Sequence, residues 1–365
     1  GDRTVYYHFF KGEKPLLTEP EDIYLINNWT VSLYKEANYQ NPTLLLLGRY
    51  GQKSITEPNS FITAAEMAET AQGISRVGHL RMDVDRLGQI FATGLGNQYT
   101  LPSLSGLSRQ MSYFFKGYLN TLAESRQDNL PRESKQLTAD ARTDLLFIYA
   151  GGDDLFVSGA WDDVVEFAVD VYQSFRAYTG HHSGITLSGG LSLSNAKYPL
   201  YQSAEDSGKA ESTAKKNGRD SLTLFDQTFK WHAWIGYSKR DSVGTLAASK
   251  TSAPAISQEL KSYIGDDFPT DLYGIMPFVS ILQAAFQVNL PKSFVRNLLV
   301  TASMQEQQIK ALTAERAADA KDIRYYLHLP KVAYTLARLP HSIRAAPDFE
   351  AVSRSLKSPY NAPYF

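Results

Sequence analysis

The alternation of apolar and polar positions in the middle of the chain predicts strands and helices in regular succession. Five short runs have the length and apolar content of strands and cover residues 79–85, 145–149, 155–157, 185–193 and 221–225. Apolar residues at helical spacing lie between these runs, as one set of Leu107, Met111, Phe114, Tyr118 and Leu122 and a second of Val164, Ala168, Val171 and Phe175. A polar helix is predicted over residues 205–217. The order β-α-β-β-α-β-α-β predicts an α+β fold of the ferredoxin-like, split βαβ type. The hairpin then lies beside the first strand.

The hairpin predicted over residues 145–157 has an unusual tip, Gly151-Gly152-Asp153-Asp154. We expect the two glycines to adopt backbone angles that residues with a Cβ avoid. Adjacent carboxylates repel each other unless a cation neutralises them, and oxygen ligands favour Mg²⁺ or Mn²⁺. The alternative is an ordinary turn, in which Gly and Asp are common.

A second pair of carboxylates, Asp83 and Asp85, ends the first predicted strand. Their i, i+2 spacing places them on one side of an extended chain, and the carbonyl of Val84 lies between them. A strand ending in a carboxylate beside a hairpin with two more is typical of a two-metal phosphoryl-transfer site. An Asp N-cap of the following helix is the alternative, which we favour for Asp85. For Asp83 we favour the metal.

Several motifs resemble the nucleotide-cyclase palm shared with GGDEF-type diguanylate cyclases. They are Asp83-Val84-Asp85, the Gly-Gly-Asp-Asp hairpin, and the helix-end segment 214–220 (AKKNGRD). Segments 80–88 (LRMDVDRLG), 197–201 (KYPLY) and 219–225 (RDSLTLF) make the resemblance more specific. Together with the Asp-Asp form of the hairpin, they are similar to the large subunit of type III CRISPR–Cas effector complexes, in its Csm-type form. The resemblance covers roughly residues 75–365.

Two departures from these families narrow the expected activity. Diguanylate cyclases usually have Glu-Phe where this chain has Asp154-Leu155, which argues against cyclic di-GMP. The full-length CRISPR subunit begins with an HD nuclease domain and a first palm. None of the seven histidines is followed by Asp, and no second Gly-Gly-Asp-Asp precedes residue 75. We therefore expect no DNase activity from these residues. The chain begins at Gly1 without an initiator Met, which favours a fragment.

The resemblance implies a polymerase of ATP. Such subunits convert ATP into cyclic oligoadenylate second messengers when their complex binds target RNA through its guide RNA. Carried over by residue, Asp83 and Asp153 bind the metals, Asp154 is a further carboxylate, and the Val84 carbonyl is a ligand. Gly151 and Gly152 form the hairpin around the nucleotide, and Lys215 and Arg219 meet the triphosphate. For Lys215 the alternative is a solvated lysine at a helix C-terminus, and for Arg219 it is an ion pair with a neighbouring acid.

Composition limits the possible partners, metal ligands and location of the protein only modestly. The 37 basic and 38 acidic residues give no bulk nucleic-acid footprint, so RNA contacts are expected through partner subunits or a local patch. Cysteine is absent, which excludes disulfides and thiolate metal sites. No apolar run has transmembrane length and no signal peptide is recognisable, which favours a cytoplasmic protein without membrane contact.

The flanking segments complete a three-part prediction: a partial connecting segment over 1–74, the palm over 75–235, and an all-helical domain over 236–365. Strands are predicted at 5–10, 22–26 and 43–47, and the alternative is a segment that caps a sheet edge. A group of aromatic residues is expected to form a hinge packed between domains, with base stacking as the alternative: Phe229, Trp231, Trp234 and Tyr237. Apolar periodicity with Pro punctuation predicts helices at 276–286, 294–312 and 323–339, whose basic residues suit a solvated face or a contact with a partner subunit or guide RNA.

Three functions remain open from the sequence. The first is an ATP-polymerising palm inside a CRISPR ribonucleoprotein, with Mg²⁺ or Mn²⁺ as cofactor. The second is a GGDEF-like synthase of a cyclic dinucleotide. The third is a scaffold that binds ATP and positions subunits without catalysis.

Overall fold

The computed structural model describes residues 8–10, 21–36 and 39–235, residues 329–345, and single residues or pairs between 275 and 353. The core of the described region is a mixed six-stranded sheet with helices on both faces. The α+β class predicted from the sequence is therefore confirmed.

The central sheet consists of strands β3 (Val77–Val84), β4 (Leu145–Ala150), β5 (Asp154–Ala160), β6 (Leu187–Ser194), β7 (Ser221–Leu224) and β8 (Gln227–Lys230). Their order across the sheet is β4-β5-β3-β6-β7-β8. Strand β3 pairs antiparallel with both β5 and β6, while β7 joins β6 in parallel. The β4–β5 hairpin thus lies directly beside the first palm strand, as the split βαβ order predicts.

One face of the sheet is covered by helices whose apolar faces were visible in the sequence. The helices of the palm and its N-terminal flank are α1 (Ala64–Thr70), α2 (Leu87–Thr93), α3 (Leu101–Ser112), α4 (Leu119–Glu124), α5 (Arg126–Asn129), α6 (Trp161–Tyr178), α7 (Leu200–Lys216) and α8 (Trp231–Ile235). Phe114, Leu122, Val164 and Phe175 are almost fully buried in one core with β3. A π-helical stretch, Tyr113–Tyr118, joins α3 to α4, which the regular spacing did not predict.

Helix α7 packs on the opposite face of the sheet. A Cβ built on Gly78 would meet Val164 of α6, whereas Arg81, three positions along the same strand, reaches Glu211 of α7. Side chains of opposite parity in a strand point to opposite faces, so α6 and α7 lie on different sides. A Cβ at Gly190 would lie 2.0 Å from the Glu211 backbone nitrogen, so the glycine permits direct contact between α7 and β6.

The aromatic residues after β8 belong to the palm core. Trp231 is fully buried, stacks on Tyr172 at 4.4 Å between ring centroids, and donates from Nε1 to the Leu187 carbonyl. Trp234 donates likewise to the Leu222 carbonyl. These two rings therefore pack against β6 and β7. The hinge packed between domains stays a prediction, since most of residues 236–365 lie outside the described residues. Tyr237 lies outside the described residues.

The N-terminal segment forms a small sheet and a cap on the palm. Strands β1 (Glu21–Ile26) and β2 (Tyr39–Leu45) pair in parallel. Residues 8–10 are not a strand, and the rest of the predicted 5–10 strand lies outside the described residues. The backbone nitrogen of Gln52 donates to the Leu145 carbonyl, and the backbone nitrogen of Phe147 donates to the Tyr50 carbonyl. Residues 50–52 therefore cover the β4 edge of the sheet, which is the capping alternative considered for this segment.

Little of the predicted helical C-terminal domain can be compared with the structure. Helices α9 (Leu329–Ala337) and α10 (His341–Arg344) are described, and α9 overlaps the helix predicted at 323–339. The helices predicted at 276–286 and 294–312 lie largely outside the described residues. Among the described helices, none combines the length and the apolar character needed to cross a membrane.

Candidate active site

The sheet brings Asp83 and the hairpin acids together. Asp83 lies near the end of β3 and is the direct antiparallel partner of Asp154 at the start of β5. Beside it, the Val84 nitrogen donates to the Asp153 carbonyl at 3.1 Å. The carboxylates that were 70 residues apart in the sequence therefore share one edge of the sheet.

The hairpin tip is closed by a hydrogen bond from the Gly151 nitrogen to the Asp154 carbonyl at 2.8 Å. Neither Gly151 nor Gly152 has a positive φ angle, so the predicted special backbone angles are wrong. The absence of a Cβ at Gly151 leaves space for two neighbouring side chains instead. A Cβ there would lie 2.2 Å from Asp154 Oδ1 and 2.4 Å from the Tyr149 hydroxyl. The side chains of Tyr149 and Asp154 thus fill the position that a larger residue would take.

The electrostatics of the tip show that negative charge is crowded there. Burial raises the pKa of Asp153, and the carboxylates of Asp83 and Asp154 raise it further, against the opposing effect of Lys215. The pKa of Tyr149 is also raised, first by the charge of Asp154 and then by burial. Both shifts have the sign expected where anions outnumber cations. A cation at this edge of the sheet would therefore be stabilised.

Lys215 is the cation nearest to these acids. It lies in the last turn of α7 and contacts both Asp83 Oδ2 and, at 2.6 Å, Glu211 Oε1. Burial lowers the pKa of Lys215, but the hydrogen bonds to Asp83 and Glu211 outweigh burial, and the net shift is upward. The alternative of a solvated helix-end lysine is wrong, since the side chain is about two thirds buried and paired.

Asp85 has a structural role different from the predicted helix cap. The N-cap position of α2 is Arg86, without a side-chain cap. The Asp85 carboxylate is almost fully buried and accepts hydrogen bonds from Thr186 Oγ1, Ser188 Oγ and the Asp220 nitrogen at 2.7, 2.7 and 3.0 Å. It therefore fastens the loop after α7 to β3 and to the start of β6.

The loop that Asp85 holds is conformationally strained. Gly218, Arg219 and Asp220 all have positive φ angles, of 80°, 63° and 48°. Left-handed angles at residues with a Cβ cost free energy unless the surroundings enforce them. The Arg219 carbonyl accepts from Ser221 Oγ and Lys230 Nζ, and the ion pairs within residues 39–235 do not include the Arg219 guanidinium. The alternative pairing of Arg219 with an acid is thus not observed in that range.

The acids fit a divalent cation, although their side chains do not converge on one point. Within the described residues, no three His, Asp or Glu side chains are arranged around a common metal position. Asp83 instead faces Lys215, and the pKa of Asp153 is raised first by burial and then by repulsion from Asp83 and Asp154. Carboxylate oxygens of this kind suit Mg²⁺ or Mn²⁺. The residues present therefore fit such an ion, and the carboxylates of Asp83, Asp153 and Asp154 would hold it.

Sequence reasoning missed Glu211 and Tyr149. Glu211 pairs with Lys215 and lies 3.7 Å from Arg81, while the charge of Asp154 raises the pKa of Tyr149. The i, i+4 spacing of Glu211 and Lys215 was a signal for the first. Tyr149 carried none, because a tyrosine at the end of a strand is an ordinary β residue.

A split βαβ sheet with carboxylates at the end of its first strand and on its hairpin defines the class of domain, which is a palm. Residues 76–223 match the protein family described as Cas10/Cmr2, second palm domain. The match covers less than half of the chain and confirms the resemblance found in the motifs.

The chain is similar to a curated relative from Methanocaldococcus jannaschii, the CRISPR system single-strand-specific deoxyribonuclease Cas10/Csm1 of subtype III-A. The two are 32% identical over 187 residues, which are 48% of this chain and 23% of that protein. The aligned region thus spans about a quarter of the relative. The activity and partners of the whole relative therefore do not transfer directly.

Solved structures share the fold. A Csm1-Csm4 cassette in complex with pppApA superposes with a TM-score of 0.57 at 21% identity, over 93% of this chain and 42% of that chain. A second Csm1-Csm4 cassette, in complex with cA4, gives 0.53 at 22% identity, over 89% of this chain and 41% of that one. At these identities the likeness concerns the fold alone.

Proposed function

We propose that this chain carries the palm that polymerises ATP into cyclic oligoadenylates within a type III CRISPR RNA-guided effector complex, under the control of target RNA. The observation that carries this proposal is the meeting of Asp83, Asp153, Asp154 and Lys215 at one edge of a Cas10/Cmr2-type palm. The ligands of the similarly folded cassettes, pppApA and cA4, support an adenylate product.

The roles follow from position. Asp83, Asp153 and Asp154, with the Val84 carbonyl, hold Mg²⁺ or Mn²⁺. Such an ion, when bound, neutralises phosphate charge and lowers the barrier to attack at the α-phosphate. The lack of a Cβ at Gly152, whose surroundings are open, leaves room for a nucleotide over the tip.

The helix end beyond the acids supplies the positive charge for the triphosphate. Lys215 contacts the carboxylate of Asp83 directly, and Arg219 lies four positions further along the chain, in the loop after α7. An ammonium group suits phosphate as a point charge, and a guanidinium suits it as a two-pronged donor. The hydrogen bonds of Asp85 keep this loop in place, so the strained backbone at Arg219 is positioned before a nucleotide arrives.

We expect the isolated chain to bind ATP with metal but to make little or no product. Joining two nucleotides requires an acceptor ribose hydroxyl about 3–3.5 Å from the donor phosphate and in line with it. One palm with one Asp-Asp hairpin holds the donor, and the acceptor needs a facing surface, which the related subunit takes from its first palm. Incubation with ATP and Mn²⁺, alone and with the complex and target RNA, followed by mass spectrometry, measures this difference.

Product mass distinguishes the candidate functions in the same experiment. Cyclic oligoadenylate formed by the isolated chain at the rate of the full complex would show that no facing surface is needed. A cyclic dinucleotide would favour the GGDEF-like synthase. ATP binding without any product in the complete complex would favour the scaffold.

We expect ATP to be preferred over GTP. The preference rests on the resemblance and on the adenylate ligands of the similar cassettes. The proposed roles of the carboxylates and Lys215 concern metal and phosphate, and they do not involve a base edge. Parallel assays with each nucleotide at equal concentration, analysed by product mass, test it. Equal incorporation of GTP would contradict the preference.

The remaining assignments belong to the same proposal. The chain consists of a connecting segment (1–74), a palm (75–235) and a helical domain (236–365). The helical domain contacts partner subunits or guide RNA. A role in a CRISPR complex implies the cytoplasm as its location. The nuclease activity in the name of the relative is not part of the proposal, because these residues include no His-Asp pair.

A further inference from the structure

Four side chains of alternating charge form a row across β3 and α7. Arg81 Nε lies 3.7 Å from Glu211 Oε2, Glu211 Oε1 lies 2.6 Å from Lys215 Nζ, and Lys215 Nζ contacts Asp83 Oδ2. Lys215 therefore has two carboxylate partners. Only one of them, Asp83, belongs to the proposed metal site.

Glu211 is the fixed member of this row. Its backbone nitrogen lies only 2.0 Å from the position that a Cβ of Gly190 would take, so α7 packs directly against β6 at this point. Its side chain is only 11% exposed, and it lies one helical turn before Lys215. The Lys215 side chain can therefore leave Asp83 while it keeps Glu211 as an anchor.

Lys215 and a divalent cation cannot both be close to Asp83. A metal bound to this carboxylate would be within a few ångströms of the ammonium group, and the two cations would repel each other. A triphosphate arriving with the metal offers the ammonium a new partner on the same side. The ion pair with Asp83 is thus a contact of the nucleotide-free protein.

We propose that Lys215 is a placeholder cation for the metal site and that Glu211 is the positioning residue that holds Lys215 when metal and nucleotide replace it. This inference rests on the proposed function and adds to it the way in which metal binding and nucleotide binding depend on each other. The metal binds weakly while Lys215 occupies Asp83, and nucleotide strengthens metal binding by drawing Lys215 away. Linkage requires the converse as well, so metal strengthens nucleotide binding by the same factor.

The test is a titration of the full chain with Mn²⁺, in which the electron paramagnetic resonance signal reports free Mn²⁺. Each titration is done without nucleotide and with α,β-methylene-ATP, corrected for Mn²⁺ bound by the analogue alone. Lys215→Gln is expected to raise the Mn²⁺ affinity without nucleotide by about tenfold, within the usual range of coupling between sites. Glu211→Gln is expected to lower it, because Lys215 then pairs with Asp83 alone.

The same helix offers a matched control. Lys209 forms an exposed i, i+4 pair with Glu205 on α7, and Lys209→Gln is expected to leave the Mn²⁺ affinity unchanged. Thermal melts of all variants confirm that they are folded. A change of charge alone predicts the same opposite signs for the Lys215 and Glu211 variants, so the analogue provides the distinction. If Lys215 is a placeholder, the gain of Lys215→Gln is confined to the nucleotide-free titration, whereas a general charge effect would persist with α,β-methylene-ATP bound.

Two outcomes separate this inference from the proposed function. If the wild type binds Mn²⁺ with the analogue and Asp83→Asn abolishes that binding, but Lys215→Gln leaves the nucleotide-free affinity unchanged or lower, the placeholder is wrong and the metal site stands. If the wild type binds no Mn²⁺ under either condition, the proposed metal site itself is wrong, and the placeholder with it.

Discussion

Replacing Asp153 and Asp154 together by alanine is expected to abolish nucleotide polymerisation in the assembled complex. Both residues lie at the tip beside Asp83, and no nearby acid within the described residues could replace them, since Glu211 and Asp85 are engaged elsewhere. Without their oxygens the site cannot hold a divalent ion against the remaining Lys215 charge. The measurement is the yield of adenylate product from ATP and Mg²⁺ or Mn²⁺ in the presence of target RNA.

The same variant is expected to keep its fold. The pKa of Asp153 is raised by burial and by its acidic neighbours, so its ionised form destabilises the native state. This cost is absent at low pH and develops as the pH rises from the ordinary Asp pKa through the raised one. The variant should therefore melt at or above the wild-type temperature at neutral pH. Turnover at the wild-type rate would contradict the assignment, and the exposed pair Asp128 and Asp140, replaced likewise, is the control.

Much of the palm could be predicted because its periodicities are strong. The helix face of Val164, Ala168 and Phe175 has no polar interruption, and the hairpin is marked by glycines between two apolar runs. The order of these elements leaves few topologies, which is why Asp83 could be placed beside Asp153. The parallel pairing of β1 with β2 could not be predicted in this way, since no local signal specifies a partner.

The finer features of the site depend on contacts between distant residues. Lys215 belongs to a recognisable motif, but its pairing with Asp83 requires α7 to lie on the face of the sheet that carries Asp83, where Gly190 allows close contact. Asp85 looked like a helix cap because Asp is common at that position. Its true partners, Ser188 and the Asp220 nitrogen, lie more than 100 residues away in sequence.

A buried charge network on helix α6 of the palm could also not be predicted from the sequence. Helix α6 carries acids that a helical wheel would assign to a solvated face, yet Asp163, Glu166 and Asp170 are almost fully buried. Arg126 and Arg142, from the segment before β4, neutralise them. Desolvation raises the pKa of Asp163 and of Asp170 to about 6 in spite of these partners. Burial of this kind is decided by tertiary packing.

Arg126→Ala is expected to destabilise the protein by about 3–5 kcal/mol, the range found when one partner of a buried ion pair is removed. Arg126 binds Asp170 through Nε and Nη2 at 2.6 and 3.3 Å, and Glu166 through Nη2 at 2.7 Å. Its Nη1 donates to the carbonyls of Thr138 and Asp140. The truncation leaves the buried Asp170 without its arginine partner and leaves Glu166 with Arg142 alone, and it removes the donor to both carbonyls. Denaturant unfolding of the full chain, followed by tryptophan fluorescence, measures the loss.

The loss should depend on pH in a defined direction. Without Arg126, the pKa of Asp170 rises further above its value of about 6, because the favourable charge is removed while burial remains. Below that pKa the carboxyl is neutral, so the deficit of the variant should shrink as the pH falls from 7 toward 5. Arg132→Ala, at an exposed position of the same segment, is the matched control and should change stability by no more than about 0.5 kcal/mol at either pH. A deficit for Arg126→Ala as small as that of the control would mean that water, rather than Arg126, neutralises the acids of α6.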